Sequence, residues 1–287
     1  MPNSVMRVIL LCAGYGTRLE KDLQESNVSD FKSLRGRPKG LLPIKEKALL
    51  SFWFEEFNGI EDINEVIIVT NDKFLEQFAK SRKWYAADYD QAKIQIVSDG
   101  SFSNESRLGA VADIKFGLDH TATGETDDVL VIAGDTLFKK DFKLCEFIAK
   151  FQELKRQSIG RGGGQGLALI TECPCPEDEV HKHGIIEVDP NGRVTSFKEK
   201  PKISETQSRS QSPCFYLLDA KCQEFIVDFL EETSTLPLEK RDAPGNFLAY
   251  LIPKSNVFAY KTSGRFDVGN LHSYQLCIES LTGGSSK

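Results

Sequence analysis

The chain has 287 residues, 40% of them hydrophobic, which is enough to bury one sizeable α/β core. Its formal net charge of −6 argues against a protein that coats nucleic acid or a basic protein of membrane surfaces, although a few local cations can still hold small anions. Seven cysteines, with no second pair at metal-binding spacing beside Cys173 and Cys175, indicate reduced thiols in an intracellular protein.

The first apolar run, residues 8–12, is far too short to cross a bilayer and lacks the layout of a secretory signal. We therefore expect a soluble, cytoplasmic protein that binds neither membranes nor nucleic acid.

Four short apolar runs predict buried parallel strands, because nearly every residue in them is aliphatic or β-branched. They are residues 8–12, 66–70, 94–97 and 129–133. Helical spacing of apolar residues separates them, as in Phe74 and Phe78 and again from Phe142 to Ile148. Strands that alternate with helices predict an α/β fold with a doubly wound, mostly parallel sheet.

The pattern changes after residue 160, where a glycine-rich loop (161–166) precedes a strand at 167–170. Gly184–Val188 and 194–198 flank the turn 189–192 and predict a hairpin, and hence a small antiparallel portion.

The rest of the chain is predicted to hold a mobile, serine-rich surface loop at 202–212 and two helices, Ala220–Glu232 and 271–281, before a disordered tail at 283–287. With no repeat and no linker, we predict a single domain, 1–287, with one half at about 1–160 and the other at about 161–287.

A glycine-rich loop follows the first strand directly, as Gly14, Tyr15 and Gly16 lead into Thr17 and Arg18. Glycines at a strand end let backbone N–H groups approach a phosphate. The loop lacks the third glycine of the dinucleotide fingerprint and the lysine of a P-loop, so alone it is weak evidence.

Several further motifs occur in order, and together they carry a family resemblance. Lys39 lies in Arg-Pro-Lys-Gly-Leu-Leu-Pro, Asp135 in Ala-Gly-Asp-Thr, Lys200 in Lys-Glu-Lys-Pro and Asp267 in Gly-Arg-Phe-Asp-Val-Gly-Asn. With these motifs the sequence resembles the nucleotidyltransferase family of sugar-nucleotide pyrophosphorylases. The resemblance covers nearly the whole chain and implies a Rossmann-like fold, with a nucleotide-binding half followed by a sugar-phosphate-binding half.

The reaction that the resemblance implies is an in-line attack of a sugar 1-phosphate on the α-phosphorus of a nucleoside triphosphate. The nucleophile is already an anion at neutral pH, so the enzyme needs cations, a metal ion and backbone donors rather than a general base. Arg18 is implied for the triphosphate and Lys39 for the α-phosphate in the transition state. Asp135 and Asp267 are implied as Mg²⁺ ligands, since Mg²⁺ accepts a few carboxylates with phosphates and water. For Asp135, a helix N-cap is the alternative.

The resemblance also implies two sets of binding residues. The nucleotide set is Leu11, Cys12, Ala13, Gly14, Tyr15, Gly16, Thr17, Arg107 and Gly109. The sugar-phosphate set is Gly184, Glu199, Lys200 and Tyr216. Gly184 is expected to let the sugar ring approach closely. Tyr216 could equally be a core residue, and His183 a sugar contact or a strand histidine.

Three departures from the family pattern bear on specificity. Residues 20–37 are longer than the usual spacing, and a mobile solvated insertion is favoured over a lid or an allosteric lip. Arg107 stands where thymidylyl- and uridylyltransferases often have a smaller residue, which leaves the base open. Thr136 replaces an asparagine that can contact the sugar, which leaves the sugar open.

The leading hypothesis is a transferase that uses Mg²⁺, dTTP or UTP, and a hexose 1-phosphate such as glucose 1-phosphate. The alternatives are a catalytically silent sugar-nucleotide sensor and a cytidylyltransferase for a phosphate such as phosphocholine, for which Phe215 and Tyr216 would have to form an aromatic cage. The apolar helical segments near the carboxyl end fit a homo-oligomer interface and a core face equally well.

Overall fold

A computed structural model of the chain describes residues 5–26, 29–121, 127–159 and 165–282. In these residues ten strands form one mixed sheet flanked by helices, and two short two-stranded ribbons lie beside it. The predicted α/β fold with a mostly parallel sheet and an antiparallel portion is confirmed, and the antiparallel strands continue the same sheet.

The strands are β1 Met6–Leu11, β2 Pro43–Ile44, β3 Lys47–Ala48, β4 Ile63–Thr70, β5 Ile94–Ser98, β6 Asp128–Ala133, β7 Thr136–Phe138, β8 Gly166–Pro174, β9 Gly184–Val188, β10 Val194–Glu199, β11 Ser210–Gln211, β12 Phe215–Leu218, β13 Ser255–Lys261 and β14 Arg265–Asp267. The α-helices are α1 Thr17–Glu25, α2 Leu49–Phe57, α3 Asp72–Tyr85, α4 Ala110–Asp119, α5 Leu144–Ile159, α6 Ala220–Glu232, α7 Leu238–Arg241, α8 Pro244–Leu251 and α9 Leu271–Thr282.

The parallel half of the sheet has the order β6-β1-β4-β5, so all four predicted parallel strands are present. Side chains alternate between its two faces: Val8 and Leu10 join one buried cluster, and Ile9 joins the other. A strand covered on both faces buries nearly every side chain, which is why these runs are apolar at nearly every position. The carboxyl ends of β1, β4 and β6 therefore meet at one edge, where ligands bind in such sheets.

The antiparallel half extends from β6 through β12, β8, β11 and β9 to β10, and β13 pairs in parallel with β8. The predicted hairpin is confirmed, with β9 and β10 joined by a turn in which Gly192 has a φ of +82°.

The predicted surface loop at 202–212 is exposed at residues 202–205, but the prediction is wrong at its end, where β11 begins. Gln211 in β11 pairs with both β8 and β9, and Thr206, Gln211 and Ser212 are buried. The Ser208 hydroxyl donates to the Ile186 carbonyl. Polar side chains form these contacts, so the polar composition of the segment did not predict the strand β11.

Residues 20–37, predicted as a mobile solvated insertion, have many exposed side chains but are anchored to the core where the structure describes them. Leu23 and Leu34 are buried in the core. The Arg35 guanidinium donates to the Leu23 carbonyl, and the Gly36 N–H donates to the Glu20 carboxylate. The segment is a folded wall beside the glycine-rich loop.

The two predicted carboxyl-terminal helices are present as α6 and α9. Most of the predicted glycine-rich loop, residues 161–164, and the predicted disordered tail, residues 283–287, lie outside the described residues. All seven cysteines are free thiols. Across the described part of the chain, no helix combines the length and apolar character that a bilayer-spanning segment needs.

Candidate functional site

The loop after β1 is fixed at the carboxyl edge of the sheet. The Asn71 amide at the end of β4 donates to the Ala13 carbonyl at 2.7 Å, and the Tyr15 hydroxyl lies 3.0 Å from the Ser101 hydroxyl. Gly16 has a φ of +61°, a conformation that suits glycine, and it begins α1. The loop backbone and the helix N-terminus together offer N–H donors to an anion.

A cavity of about 370 Å³ opens beside this loop. It is lined by Leu11, Cys12, Ala13, Gly14, Tyr15, Lys39, Gly40, Asn104, Arg107, Gly109, Ala110, Asp113, Ala133, Gly134, Asp135, Cys214, Asp242 and Pro244. Seven of the nine predicted nucleotide-binding residues, Lys39 and Asp135 therefore share one cavity. Gly16 lines a smaller adjoining cavity, and Thr17 and Arg18 are exposed at the start of α1.

Lys39 and Asp135 form an ion pair within the cavity, with 2.8 Å between the Lys39 Nζ and an Asp135 carboxylate oxygen. Lys39 begins a short 3₁₀ helix, and Asp135 follows β6. A Cβ placed on Gly16 would lie 3.7 Å from the Lys39 side chain, so the lysine runs past the glycine-rich loop. The structure therefore places a cation where the loop amides and a carboxylate converge.

Asp267 lies beside Asp135 although 132 positions separate them in the sequence. The ribbon of β7 and β14 sets Asp267 opposite Thr136, and the Val268 N–H donates to the Asp135 carbonyl at 3.0 Å. Burial raises the pKa of the Asp267 carboxyl, but the charges of Arg265, 3.1 Å away, and of Lys39 outweigh burial and hold that pKa below its usual value. Asp267 is therefore ionised at neutral pH.

Asp135 and Asp267 are the two carboxylates at this edge that would hold a magnesium ion, and each now pairs with a cation, Lys39 or Arg265. Both side chains are only partly buried and lie on adjacent backbone segments. Among the described residues no group of three or more His, Cys, Asp or Glu side chains could hold a metal. A metal bound by these two carboxylates would take its other ligands from phosphates and water, which Mg²⁺ tolerates well.

Arg18 approaches the same place from α1. Its guanidinium lies 4.0 Å from the point that a Cβ on Gly269 would occupy, and an Asp267 carboxylate oxygen lies 3.4 Å from that point. Arg18, Lys39, Asp135 and Asp267 are thus brought together from four parts of the chain.

The predicted sugar-phosphate residues lie on the antiparallel half. Lys200 follows β10 with an unusual φ of +47°, its N–H donates to the His183 carbonyl, and its Nζ lies 3.5 Å from the Glu199 carboxylate. Burial, and then the Arg265 charge, lower the pKa of His183. The imidazole lies 3.4 Å from the Arg265 guanidinium, so this histidine lies beside the cation that pairs with Asp267.

Two expectations about the antiparallel half need correction. A Cβ on Gly184 would lie 2.2 Å from the Phe197 ring, so that ring fills the space that was expected to admit the sugar. Phe215 and Tyr216 are 0% and 1% exposed, inside the sheet. Neither can form the aromatic cage that a phosphocholine site would need, and Tyr216 is not among the residues that line the cavity.

Sequence reasoning missed Arg265, Asp113 and Asp242. Arg265 stands two positions before Asp267, and that proximity was an available signal. No local signal in the sequence pointed to Asp113 or Asp242. Asp242 lies 135 positions from Arg107 in the chain, and the fold brings the two side chains to 3.2 Å.

Comparisons with known proteins identify the family of this chain. The family model described as nucleotidyl transferase matches residues 7–282. A bifunctional protein GlmU from Methanococcus vannielii is 24% identical over 92% of this chain and 52% of its own length. A glucose-1-phosphate adenylyltransferase from Dechloromonas aromatica is 23% identical over 88% of this chain and 54% of its own length. The chain spans about half the length of these curated relatives.

Solved structures share the fold. A UDP-glucose pyrophosphorylase complexed with UDP-glucose superposes with a TM-score of 0.68 over 97% of this chain and 99% of its own, at 18% identity. A glucose-1-phosphate thymidylyltransferase described as putative, from Bacillus anthracis, has a TM-score of 0.66 over 99% and 97% of the two chains, at 17% identity. The fold and the cavity define an α/β protein with a charged cavity at the carboxyl edge of its sheet. The chain belongs to the nucleotidyl transferase family.

Proposed function

We propose that this protein transfers a nucleotidyl group from a nucleoside triphosphate to a hexose 1-phosphate and releases pyrophosphate, with Mg²⁺ as cofactor. The observation that carries the proposal is the convergence of the glycine-rich loop, Lys39 and Asp135 in one cavity, with Asp267 and Arg18 beside it. Two substrates that each bear phosphates repel one another, so a site that joins them needs several cations and backbone donors at one place.

In the proposed mechanism the residues of this chain orient the substrates and neutralise the charges of their phosphates. Loop amides at Leu11–Gly16 hold the triphosphate, Arg18 neutralises the departing pyrophosphate, and Lys39 neutralises the α-phosphate as charge develops on it. In the free protein Lys39 is bonded to Asp135, which keeps its ammonium at the reaction centre before substrate arrives. Mg²⁺ held by Asp135 and Asp267 would supply further charge neutralisation at the phosphates.

We assign the sugar 1-phosphate to the half formed by about 161–287, and the nucleotide to the half formed by about 1–160. Lys200 is 60% exposed at its side chain and is free to meet a phosphate, and Glu199 beside it can accept hydrogen bonds from sugar hydroxyls. The names of the relatives, which include glucose-1-phosphate adenylyl- and uridylyltransferases, support a hexose 1-phosphate such as glucose 1-phosphate. For the donor nucleotide we keep dTTP or UTP, the choice that the sequence favours.

The test is pyrophosphate release in a matrix of ATP, CTP, GTP, UTP and dTTP against several hexose 1-phosphates, with Mg²⁺ and with EDTA. We expect release with at least one pair and none with EDTA. Asp135→Asn and Asp267→Asn should each lower kcat about 100-fold or more. Asp88→Asn is the matched control, because Asp88 is exposed and does not line the cavity.

Full activity of both aspartate variants would refute the metal assignment. Nucleotide binding without pyrophosphate release from any pair would refute the transferase and support a sugar-nucleotide sensor.

A further inference from the structure

Two hydrogen bonds hold the glycine-rich loop, one on either side of Gly14. On one side the Asn71 side-chain amide donates to the Ala13 carbonyl at 2.7 Å. On the other side the Tyr15 hydroxyl lies 3.0 Å from the Ser101 hydroxyl. Asn71 directly follows β4, and Ser101 comes three residues after β5, so the two tethers start from neighbouring strand ends. Neither Asn71 nor Ser101 lines the cavity, so both act on it through the loop.

Asn71 makes two hydrogen bonds that serve different purposes. The side chain is 0% exposed. Its oxygen accepts from the Phe74 N–H at 3.1 Å and caps the N-terminus of α3. The cap needs only an acceptor, which serine or threonine also supplies, whereas the bond to the Ala13 carbonyl needs a donor that reaches the loop. A substitution can therefore remove the tether and keep the cap.

The second tether has a defined direction. The Ser101 hydroxyl donates to the Asp99 carboxylate at 2.8 Å. A serine hydroxyl carries a single proton, so Ser101 accepts the hydrogen bond from Tyr15. Ser101 and Asp99 are both buried, which keeps water from competing for these bonds.

The bond from Asn71 sets the direction of one backbone donor. The peptide bond between Ala13 and Gly14 is trans, and in a trans peptide the carbonyl and the next N–H point to opposite sides. The Gly14 N–H therefore points away from Asn71. Gly14 is exposed and lines the cavity, and a Cβ added to it would meet no atom within 4 Å. Among the described residues no group accepts a hydrogen bond from this N–H.

We propose that Asn71 is a positioning residue for the nucleotide: it turns the Gly14 N–H toward the cavity, where this donor binds an oxygen of the nucleoside triphosphate. A donor that is already fixed binds the nucleotide without the entropy cost of ordering the loop. The tether through Tyr15 and Ser101 holds the other flank of Gly14 and keeps the loop from relaxing. This inference rests on the proposed function and adds the residue that prepares its nucleotide loop.

The experiment separates the tether from the helix cap. Asn71→Ser keeps an acceptor for the Phe74 N–H, but its shorter side chain cannot also donate to the Ala13 carbonyl. We expect KM and the equilibrium Kd to rise about fivefold or more for the nucleoside triphosphates, while KM for the hexose 1-phosphate stays at the wild-type value. A role in folding alone would lower Tm without separating the two KM values. Asn71→Thr, which fills more of the space and also caps, repeats the test if Asn71→Ser does not fold.

Asp219→Ser is the matched control. Asp219 caps α6 by accepting from the Cys222 N–H, and it also accepts from the Leu167 N–H. Serine there keeps the cap and loses the second bond, as in Asn71→Ser, but Asp219 does not line the cavity. Both KM values should therefore stay at the wild-type level.

Two results would overturn the role of Asn71 and leave the transferase intact. One is a folded Asn71 variant that binds triphosphates as tightly as wild type, and the other is a rise in KM that Asp219→Ser shares. If no substrate pair releases pyrophosphate, the transferase is refuted, and the triphosphate Kd values of wild type and the Asn71 variants still decide whether Asn71 prepares the loop. Wild-type protein that binds no triphosphate would overturn both.

Discussion

Replacing Asp113 with asparagine should stabilise the protein at neutral pH, although the residue lines the cavity. Asp113 has a pKa raised from 3.8 to about 8 in the folded protein, first by burial and then by Asp99 and Asp242. At pH 7 the unfolded chain gives up this proton and the folded chain keeps it. About 3 pH units separate pH 7 from 3.8. At 1.36 kcal/mol per unit, the raised pKa lowers the free energy of unfolding at pH 7 by up to about 4 kcal/mol.

The sign of the pH dependence follows from the raised pKa. The folded state binds more protons than the unfolded state between about pH 4 and pH 8, so the contribution of this carboxyl to stability falls as pH rises through that range and levels off above it. Asparagine does not titrate. The advantage of Asp113→Asn should be near zero at pH 4, grow up to about pH 8, and reach about 1–4 kcal/mol at pH 7.

Urea unfolding of wild type and Asp113→Asn at pH 4.5, 6, 7 and 8 measures this advantage, with a rise in Tm of about 2 °C or more at pH 7 as a second readout. Asp119→Asn should show no such pH-dependent gain, because that carboxyl is exposed. A loss of stability in Asp113→Asn at pH 7, or a gain that is the same at every pH, would refute the reasoning.

Other predictions test the reaction centre and its supports. Lys39→Ala should lower kcat about 100-fold or more, with circular dichroism unchanged; wild-type turnover would exclude Lys39 from the chemistry. Gly184→Ala should cost about 1–3 kcal/mol, because its methyl group meets the Phe197 ring, and Phe197→Leu in that background should recover part of the Tm. An unchanged Tm in Gly184→Ala would contradict this packing. Arg265→Met should raise the pKa of Asp267 and move the acid limb of the pH–rate profile to higher pH. An acid limb that stays in place would show that Arg265 does not tune this carboxyl.

The sequence determined the class of fold and the residues at each strand end. The four parallel strands are apolar on most positions because both sheet faces are covered, and this pattern is local, so it is visible without coordinates. Arg18, Lys39, Asp135 and Asp267 stand in short motifs, and each motif could be found from its neighbours in the chain.

Tertiary structure alone decided where those motifs meet and what else joins them. The Arg107–Asp242 pair and the buried carboxyl of Asp113 depend on packing between segments far apart in sequence. The same is true of Gly184, where the Phe197 ring rather than a ligand fills the space beside the backbone. Hydrophobic periodicity and local motifs depend on neighbours along the chain, whereas burial, pKa values and close contacts depend on neighbours in space.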